Sequence, residues 1–273
     1  MDWLLHMERA FRLVRRFLLT EGFQQRQVLG LNPKGDLTLG LDSGAERVAV
    51  EYFRRHISAP LRIMGEEQGI TDIGRGEPDF MCIIDPVDGS WNCSRGIEVG
   101  SFSAALIPAN EELHPDNVRF AFTGNLFTGT TFSAESGKGA KRNGVPVNSS
   151  RQEELPEAVI GCELTLTRAD KWKIQRVSDL LGLARRVVSL GSSVTELSLV
   201  ASGALDAHVD VRDELSAENF LAAGRIILEA GGIITSPTGD SLPQMRKLKE
   251  KTSVIASGNP TLHEAIVRSI LFE

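Results

Sequence analysis

The segment Phe80-Met81-Cys82-Ile83-Ile84-Asp85-Pro86-Val87-Asp88-Gly89-Ser90-Trp91-Asn92 constrains this chain more than any other. An apolar run suited to a buried strand ends in two carboxylates three positions apart, Asp85 and Asp88. A proline stands between them, and a glycine and a hydroxyl follow. Packing does not explain acids at that place, because an unpaired carboxylate is costly to bury. A hard divalent cation accounts for both at once, since Mg²⁺ is held by one or two carboxylates together with substrate phosphate oxygens. The competing account is an Asp-Pro turn that caps a loop.

The rest of the chain bears on that choice. Its 273 residues are enough for one large domain or two packed halves, here expected as 1–150 and 151–273. A net charge of −6 without a long basic block argues against nucleic acid as a partner. Cys82, Cys93 and Cys162 lack metal-type spacing, so a reducing, cytoplasmic compartment is expected. Trp3, Leu4, Met7, Ala10, Phe11, Val14, Phe17 and Leu18 form a helical stripe with acids and arginines opposite. That predicts a helix packed on the body, neither a leader nor a membrane span.

A second helix is predicted over Asp42–His56, with Ala45, Val48, Ala49, Tyr52 and Phe53 on one face. Strands are predicted at Leu61–Met64, Phe80–Ile84, Ser101–Ile107, Arg119–Phe122 and Gly129–Ser133. Gly137–Gly144 lacks the spacing of a P-loop, and its Asn143-Gly144 pair predicts a hairpin. Beyond the polar stretch Asn148–Pro156 the pattern changes to alternation. Strands are predicted at Ala158–Cys162, Arg186–Leu190, Ala207–Val211, Ile233–Thr235 and Ser253–Ala256. Helices are predicted at Lys171–Leu181, Val194–Ser202, Ala217–Ala230 and Thr261–Leu271. The class is therefore mixed α+β and α/β.

Several elements are candidates to meet Asp85 and Asp88. Gly65-Glu66-Glu67 also follows directly on a short apolar strand, Leu61-Arg62-Ile63-Met64. If the two strands lie side by side their acids crowd together, and like charges that close need a cation. Asp42 stands at a helix start, where an N-cap is the simpler role. Gly191-Ser192-Ser193 and the acid-rich run before Gly224 precede helices, whose N-termini favour anions. The five histidines lie outside the acidic motifs and receive no catalytic role.

Taken together, these motifs resemble the inositol monophosphatase family of Mg²⁺-dependent, lithium-sensitive phosphatases. The likeness rests on Gly65-Glu66-Glu67, Asp85–Ser90 with Asn92, Gly137–Gly144 and Gly191–Ser193. It also takes in Ala201–Gly203 with Asp206-Ala207, and Ala222–Gly224 leading to Glu229–Gly232. The resemblance implies a layered α-β-α-β-α sandwich, two or three Mg²⁺ ions, a small phosphate ester as substrate and a homodimer. It implies that Glu66, Asp85 and the Val87 carbonyl hold one metal, and that Asp85 and Asp88 hold a second. Ser90, standing where the family usually has threonine, would pair with Asp42 to orient the attacking water, supported by Glu67. Gly89, Ser90, Gly191, Ser192 and Ser193 would cradle the phosphate.

The match departs at one place. The family pattern has an aspartate before its Ala-Ala-Gly helix, where an ungapped comparison puts Phe220. Glu218 is the expected replacement ligand, with Asn219 as the other option and plain helix-start residues as a third. A missing acid would weaken the second metal and blur lithium sensitivity. It also leaves room for a catalytically weakened ligand-binding homologue. The substrate end is expected near Arg212, Asp213 and the 165–171 loop. Inositol monophosphate is the first substrate expected, fructose 1,6-bisphosphate the second, and phosphorylated nucleotides the third.

Overall fold

Hydrophobic periodicity decides the layering. In the computed structural model, which describes residues 1–33, 35, 37–164 and 171–271, the N-terminal stripe becomes α1 (Trp3–Thr20). Asp2 caps it by accepting the Leu5 N–H at 3.0 Å. A two-stranded ribbon, β1 (Val28–Leu31) and β2 (Leu37–Leu39), leads into α2 (Gly40–His56). The helix thus begins two residues before the expected Asp42. The next elements are β3 (Leu61–Gly65), β4 (Gly69–Ile73), β5 (Phe80–Asp88), α3 (Ser90–Arg95), β6 (Ser101–Pro108), β7 (Phe120–Asn125), β8 (Thr131–Glu135), β9 (Ala140–Arg142) and β10 (Val145–Val147). Their strands form one sheet in the order β10-β9-β8-β7-β6-β5-β3-β4.

Beyond them lie β11 (Val159–Cys162), α4 (Lys171–Leu183), β12 (Arg186–Val188), α5 (Ser193–Ala201), β13 (Ala207–Leu215), α6 (Ala217–Glu229), β14 (Ile233–Thr235), β15 (Thr252–Ser257) and α7 (Pro260–Leu271). This set makes a five-stranded sheet, β12-β11-β13-β15-β14.

Alternation along each strand sorts side chains between layers. Cys82 and Ile84 of β5, with Phe102, Ala104 and Leu106 of β6, pack under α1 and α2. Ile83, Ala105 and Ile107 point to the opposite face. There they join Leu197 and Val200 of α5, Phe220, Ile226 and Ile227 of α6, and Val254 and Ala256 of the second sheet. The far face of that sheet, with Ile160, Val209 and Ile255, is covered by α4 and α7 through Val177, Leu180, Leu262 and Ile266. The result is five layers, α-β-α-β-α, with α5 and α6 at the centre. Among the described residues no helix is long and apolar enough to cross a membrane.

Several boundaries differ from expectation. β5 does not stop before Asp85 but runs through Asp88, with an irregularity of register against β6 between those two residues. Pro86 lacks an N–H to give the ladder, and bulges are where a strand tolerates that. β12 ends at Val188 rather than Leu190, and β13 continues past Val211 to Leu215. The hairpin turn forms as predicted: Asn143 and Gly144 connect β9 to β10 with φ of 50° and 78°.

The close approach of α1 to β7 depends on Gly124, where a Cβ would lie 2.6 Å from the Phe11 ring. Gly124→Ala is expected to lower stability by about 1–3 kcal/mol, the usual cost of overpacking a core. Chemical denaturation would measure it.

Candidate active site

Among the described residues the only parallel pairing in the eight-stranded sheet is between β3 and β5, with Gly65 opposite Ile84. Both strands therefore finish at the same edge, which brings Glu66 and Glu67 beside Asp85. Asp42, Glu66, Glu67, Asp85, Pro86, Val87, Ser90 and Leu37 line one cavity of about 40 Å³. The expected crowding of acids is thus present.

Each acid is held by the local fold. Asp85 is buried; its Oδ1 accepts the Val87 N–H at 3.1 Å and its Oδ2 accepts Asn219 Nδ2 at 3.0 Å. Glu66 accepts Asn32 Nδ2 at 2.8 Å, and Glu67 accepts the Thr38 hydroxyl at 2.6 Å, so the β1–β2 ribbon reaches both. Asp42 is not the N-cap but the third residue of α2. Its Oδ2 accepts the Leu39 N–H at 3.3 Å, while the buried Oδ1 has no hydrogen-bond partner among the described residues. Burial and the charge of Glu67 push the Asp42 carboxyl up to about 8, with Glu66 adding to the rise. The Leu39 and Ser90 hydrogen bonds work the other way.

A buried residue that sequence reasoning missed supports this edge. Glu46, one turn beyond Asp42 on α2, accepts the N–H groups of Glu67 and Gln68, both at 2.8 Å. Gly65 makes room for it, since a Cβ there would fall 2.5 Å from the carboxylate. Burial raises the Glu46 pKa to about 7 against those two hydrogen bonds, with Glu67 and Glu66 adding to the rise. The i, i+4 spacing from Asp42 places the pair on one helix face, and that was the signal available.

Asp88 is placed differently from Asp85. It does not line the 40 Å³ cavity. Its carboxylate faces the start of α5, where the Ser192 hydroxyl donates to it and the Val194 N–H donates at 2.9 Å. Burial lifts its pKa to about 7. Those two bonds hold it down, and the nearby charges of Glu163 and Glu196 push it up. Ser192 continues to Thr195 at 2.7 Å and Thr195 to Ser101 at 2.8 Å, a chain of buried hydroxyls. Gly191 takes a φ of +68°, and Asn92 Nδ2 donates to the carbonyls of Leu190 and Gly191 at 2.7 and 3.2 Å. Gly89, also left-handed, lets Ser192 approach: a Cβ would meet the Ser192 side chain at 3.1 Å. Ser193 is the first residue of α5 and is buried.

At the irregular motif, the ungapped position Phe220 is completely buried in the central core. Asn219 is the residue that reaches the site, through its bond to Asp85, while its Oδ1 accepts the Ser216 N–H and caps α6. Glu218, the replacement ligand expected from sequence, is buried in the first turn of α6 but does not line the acidic cavity. Successive helical residues point about 100° apart, so Asn219 and Glu218 face different surroundings. Asp213 is exposed with a φ of 58° and is tied to β15, accepting from Ser253 Oγ at 2.7 Å. It does not join the acids. Arg212 grips Asp210 instead, Nη2 to Oδ2 at 2.7 Å. Of the loop expected at the substrate end, 165–170 lie outside the described residues.

The donor set is wholly oxygen, which suits a hard divalent cation. Among the described residues no three His, Cys, Asp or Glu side chains stand together as a ready-made metal cage. Asn32, Thr38 and Asn219 each donate to one of the acids that line the cavity. The buried, unpartnered Asp42 Oδ1 beside Glu66 and Glu67 is the point at which positive charge is missing. The residues therefore fit Mg²⁺. Burial raises the thiols of Cys82, Cys93 and Cys162 to about 12, which makes them poor nucleophiles.

An acidic oxygen cavity at the shared end of two parallel strands, within this five-layer arrangement, suits a hydrolase of phosphoric monoesters, the class to which the family of this chain belongs. The sequence pattern of the inositol monophosphatase family matches residues 17–272, and the chain belongs to that family. Fructose-1,6-bisphosphatase/inositol-1-monophosphatase of Methanothermobacter thermautotrophicus is 32% identical over 253 residues, covering 89% of this chain and 87% of that protein. The bifunctional NADP phosphatase/NAD kinase of Methanococcus maripaludis is 30% identical over 260 residues, covering 89% of this chain and 44% of that protein. The solved structure of the Thermotoga maritima IMPase superimposes with a TM-score of 0.78 at 26% identity, covering 99% of this chain and 97% of that one. The family is metal-dependent, typically on Mg²⁺.

Two expectations follow. Glu46→Ala strips two backbone N–H groups of their acceptor and should cost about 2 kcal/mol or more, whereas Glu46→Gln keeps one oxygen for one of the two N–H groups and should cost less. Denaturant unfolding of the two variants compares them. The raised carboxyls of Asp42, Glu46 and Asp88 make the metal-free protein bind more protons folded than unfolded. Their contribution is fully present below the unfolded values near 4 and is lost as pH rises through the folded values of about 7 to 8. The melting temperature without metal should fall over that window, and Mg²⁺ should raise it more at pH 8 than at pH 5.

Proposed function

We propose that this chain is a Mg²⁺-dependent phosphomonoesterase for a small polyol or sugar phosphate, with inositol monophosphate and fructose 1,6-bisphosphate as its substrates. The observation that carries the reading is the convergence of Asp42, Glu66, Glu67, Asp85 and Ser90 on one cavity. The substrate choice is supported by the names of the archaeal relatives, four of which combine both activities. Hydrolysis of the NADP phosphate is the second reading, favoured by the Methanococcus maripaludis relative.

In this reading Glu66, Asp85 and the Val87 carbonyl hold Mg²⁺, and Asp88 serves a second ion. When bound, the ions polarise phosphate oxygens and lower the pKa of water. The chain's own groups do the rest. Asp42 and Ser90 flank the cavity and orient the attacking water, with Asp42 Oδ1 as the proton acceptor. Glu67, fixed by Thr38, keeps the negative field in place. Gly89, Ser90 and Gly191–Ser193 offer amides and hydroxyls to the phosphate. We further infer a cytoplasmic homodimer. Its support is the family resemblance and, for the compartment, three unpaired buried cysteines.

Purified protein should release phosphate from both esters with Mg²⁺ and lose that activity in EDTA. Asp85→Asn and Asp88→Asn should each lower it about 100-fold or more. Full activity in EDTA would defeat the metal mechanism, and turnover of NADP alone would select the second reading.

Asn219→Asp tests the irregular motif. It keeps the cap on α6 while adding a charged ligand beside Asp85. The Mg²⁺ concentration for half-maximal rate should fall about tenfold, and the metal-free melting temperature should fall with it. An unchanged Mg²⁺ requirement would place Asn219 outside the metal site.

A further inference from the structure

On β11, Gly161 has no room for a side chain: a Cβ would come 2.6 Å from a carboxylate oxygen of Glu196. Glu196 sits in the first turn of α5 and is completely buried. A buried carboxylate needs committed partners, and this one has two. Its Oε1 accepts the Leu190 N–H at 2.6 Å, and its Oε2 lies 2.7 Å from His208 Nδ1. His208, on β13, is equally enclosed, and among the described residues its Nε2 has no hydrogen-bond partner. The imidazole is therefore committed to a single task, donation from Nδ1 to Glu196.

What the pair grips is the segment entering α5. Other ties of Leu190–Ser192 lead to the acidic motif. Asn92 donates to the Leu190 and Gly191 carbonyls, and Ser192 donates to Asp88. With Gly191 left-handed, this short segment has several paths open to it. The Leu190 N–H bond anchors it to Glu196 of α5, itself held by His208 of the second sheet, while Asn92 of α3 and Asp88 of β5 anchor its other side. A buried ion pair is weak evidence for stability, because apolar replacements are often neutral or better. Here the pair instead fixes a geometry.

We propose that His208 and Glu196 form a positioning pair that locks Leu190–Ser192 and thereby sets where Ser192 and the start of α5 hold Asp88 for the metal. This rests on the reading of Asp88 as a metal ligand. Partners that orient a ligand from behind typically control 10–100-fold in metal affinity.

The test measures Mn²⁺ binding to the full chain without substrate, by electron paramagnetic resonance of the free ion. Metal-free melting is recorded alongside. The variants are Glu196→Gln, Glu196→Leu, His208→Asn and Asp88→Asn. Glu196→Gln and His208→Asn keep a hydrogen-bonding group at the required place and should bind Mn²⁺ within about threefold of the parent. Glu196→Leu should bind about tenfold or more weakly, out of proportion to any change in melting. A folded Glu196→Leu protein with parental Mn²⁺ affinity overturns the proposal. If Glu196→Leu does not fold, the parent decides it: the His208 Nδ1–H proton resonance should move on addition of Mg²⁺, and an unmoved signal overturns the proposal. Parental affinity in Asp88→Asn would defeat the metal reading of Asp88 itself, a result separable from the others.

Discussion

Repulsion among carboxylates is the constraint around which this molecule is arranged. The parallel pairing of β3 with β5 delivers Glu66, Glu67 and Asp85 to one edge, and the first turn of α2 adds Asp42. Nothing in hydrophobic packing asks for that arrangement, and burial makes it worse, as the rise of Asp42 to about 8 shows. The fold answers with neutral donors, among them Asn32 to Glu66, Thr38 to Glu67, and Asn219 and the Val87 N–H to Asp85. These bonds reduce the repulsion without cancelling charge. A divalent cation does cancel it, so metal binding and relief of strain in the folded state are one event.

The central helical layer joins the two sheets chemically as well as by packing. Helix α6 buries Phe220 in the shared core and sends Asn219 to Asp85 from the next position along the chain. Helix α5 contributes Leu197 and Val200 to that core while its first turn receives Asp88. Glu46 plays the corresponding part on the outer side, fixing the turn after β3 from α2. The acids of the site are therefore gripped from three layers.

Most of this was legible in the sequence where the signal is local. The stripe of α1, the Asn143-Gly144 turn and the acid-ended strands are encoded by residues a few positions apart. The strand pairing that unites Glu66 with Asp85 enters the sequence reading only as a condition, and the parallel register supplies it. Other features were not legible because they depend on which face of a helix meets which strand. Phe220 fell in the ligand slot by simple counting, yet the turn of α6 points it into the core and Asn219 to the site. Glu218, chosen for its charge, does not line the cavity. The five histidines were set aside because none adjoins an acidic motif, but His208 meets Glu196 across two elements twelve positions apart. Only the topology makes them neighbours.

The seat of Asp88 at the start of α5 has a consequence for occupancy. The Val194 amide and the Ser192 hydroxyl that hold this carboxylate are the kind of donors an anion would seek at a helix start. A tethered group competes at a high effective concentration, because it cannot diffuse away. Any phosphate oxygen that takes those donors does so by eviction, and when it departs the protein's own carboxylate is waiting to return. If the start of α5 seats the phosphate, as the proposed function has it, the chain carries an internal rival for its ligand, which tilts that subsite toward letting go.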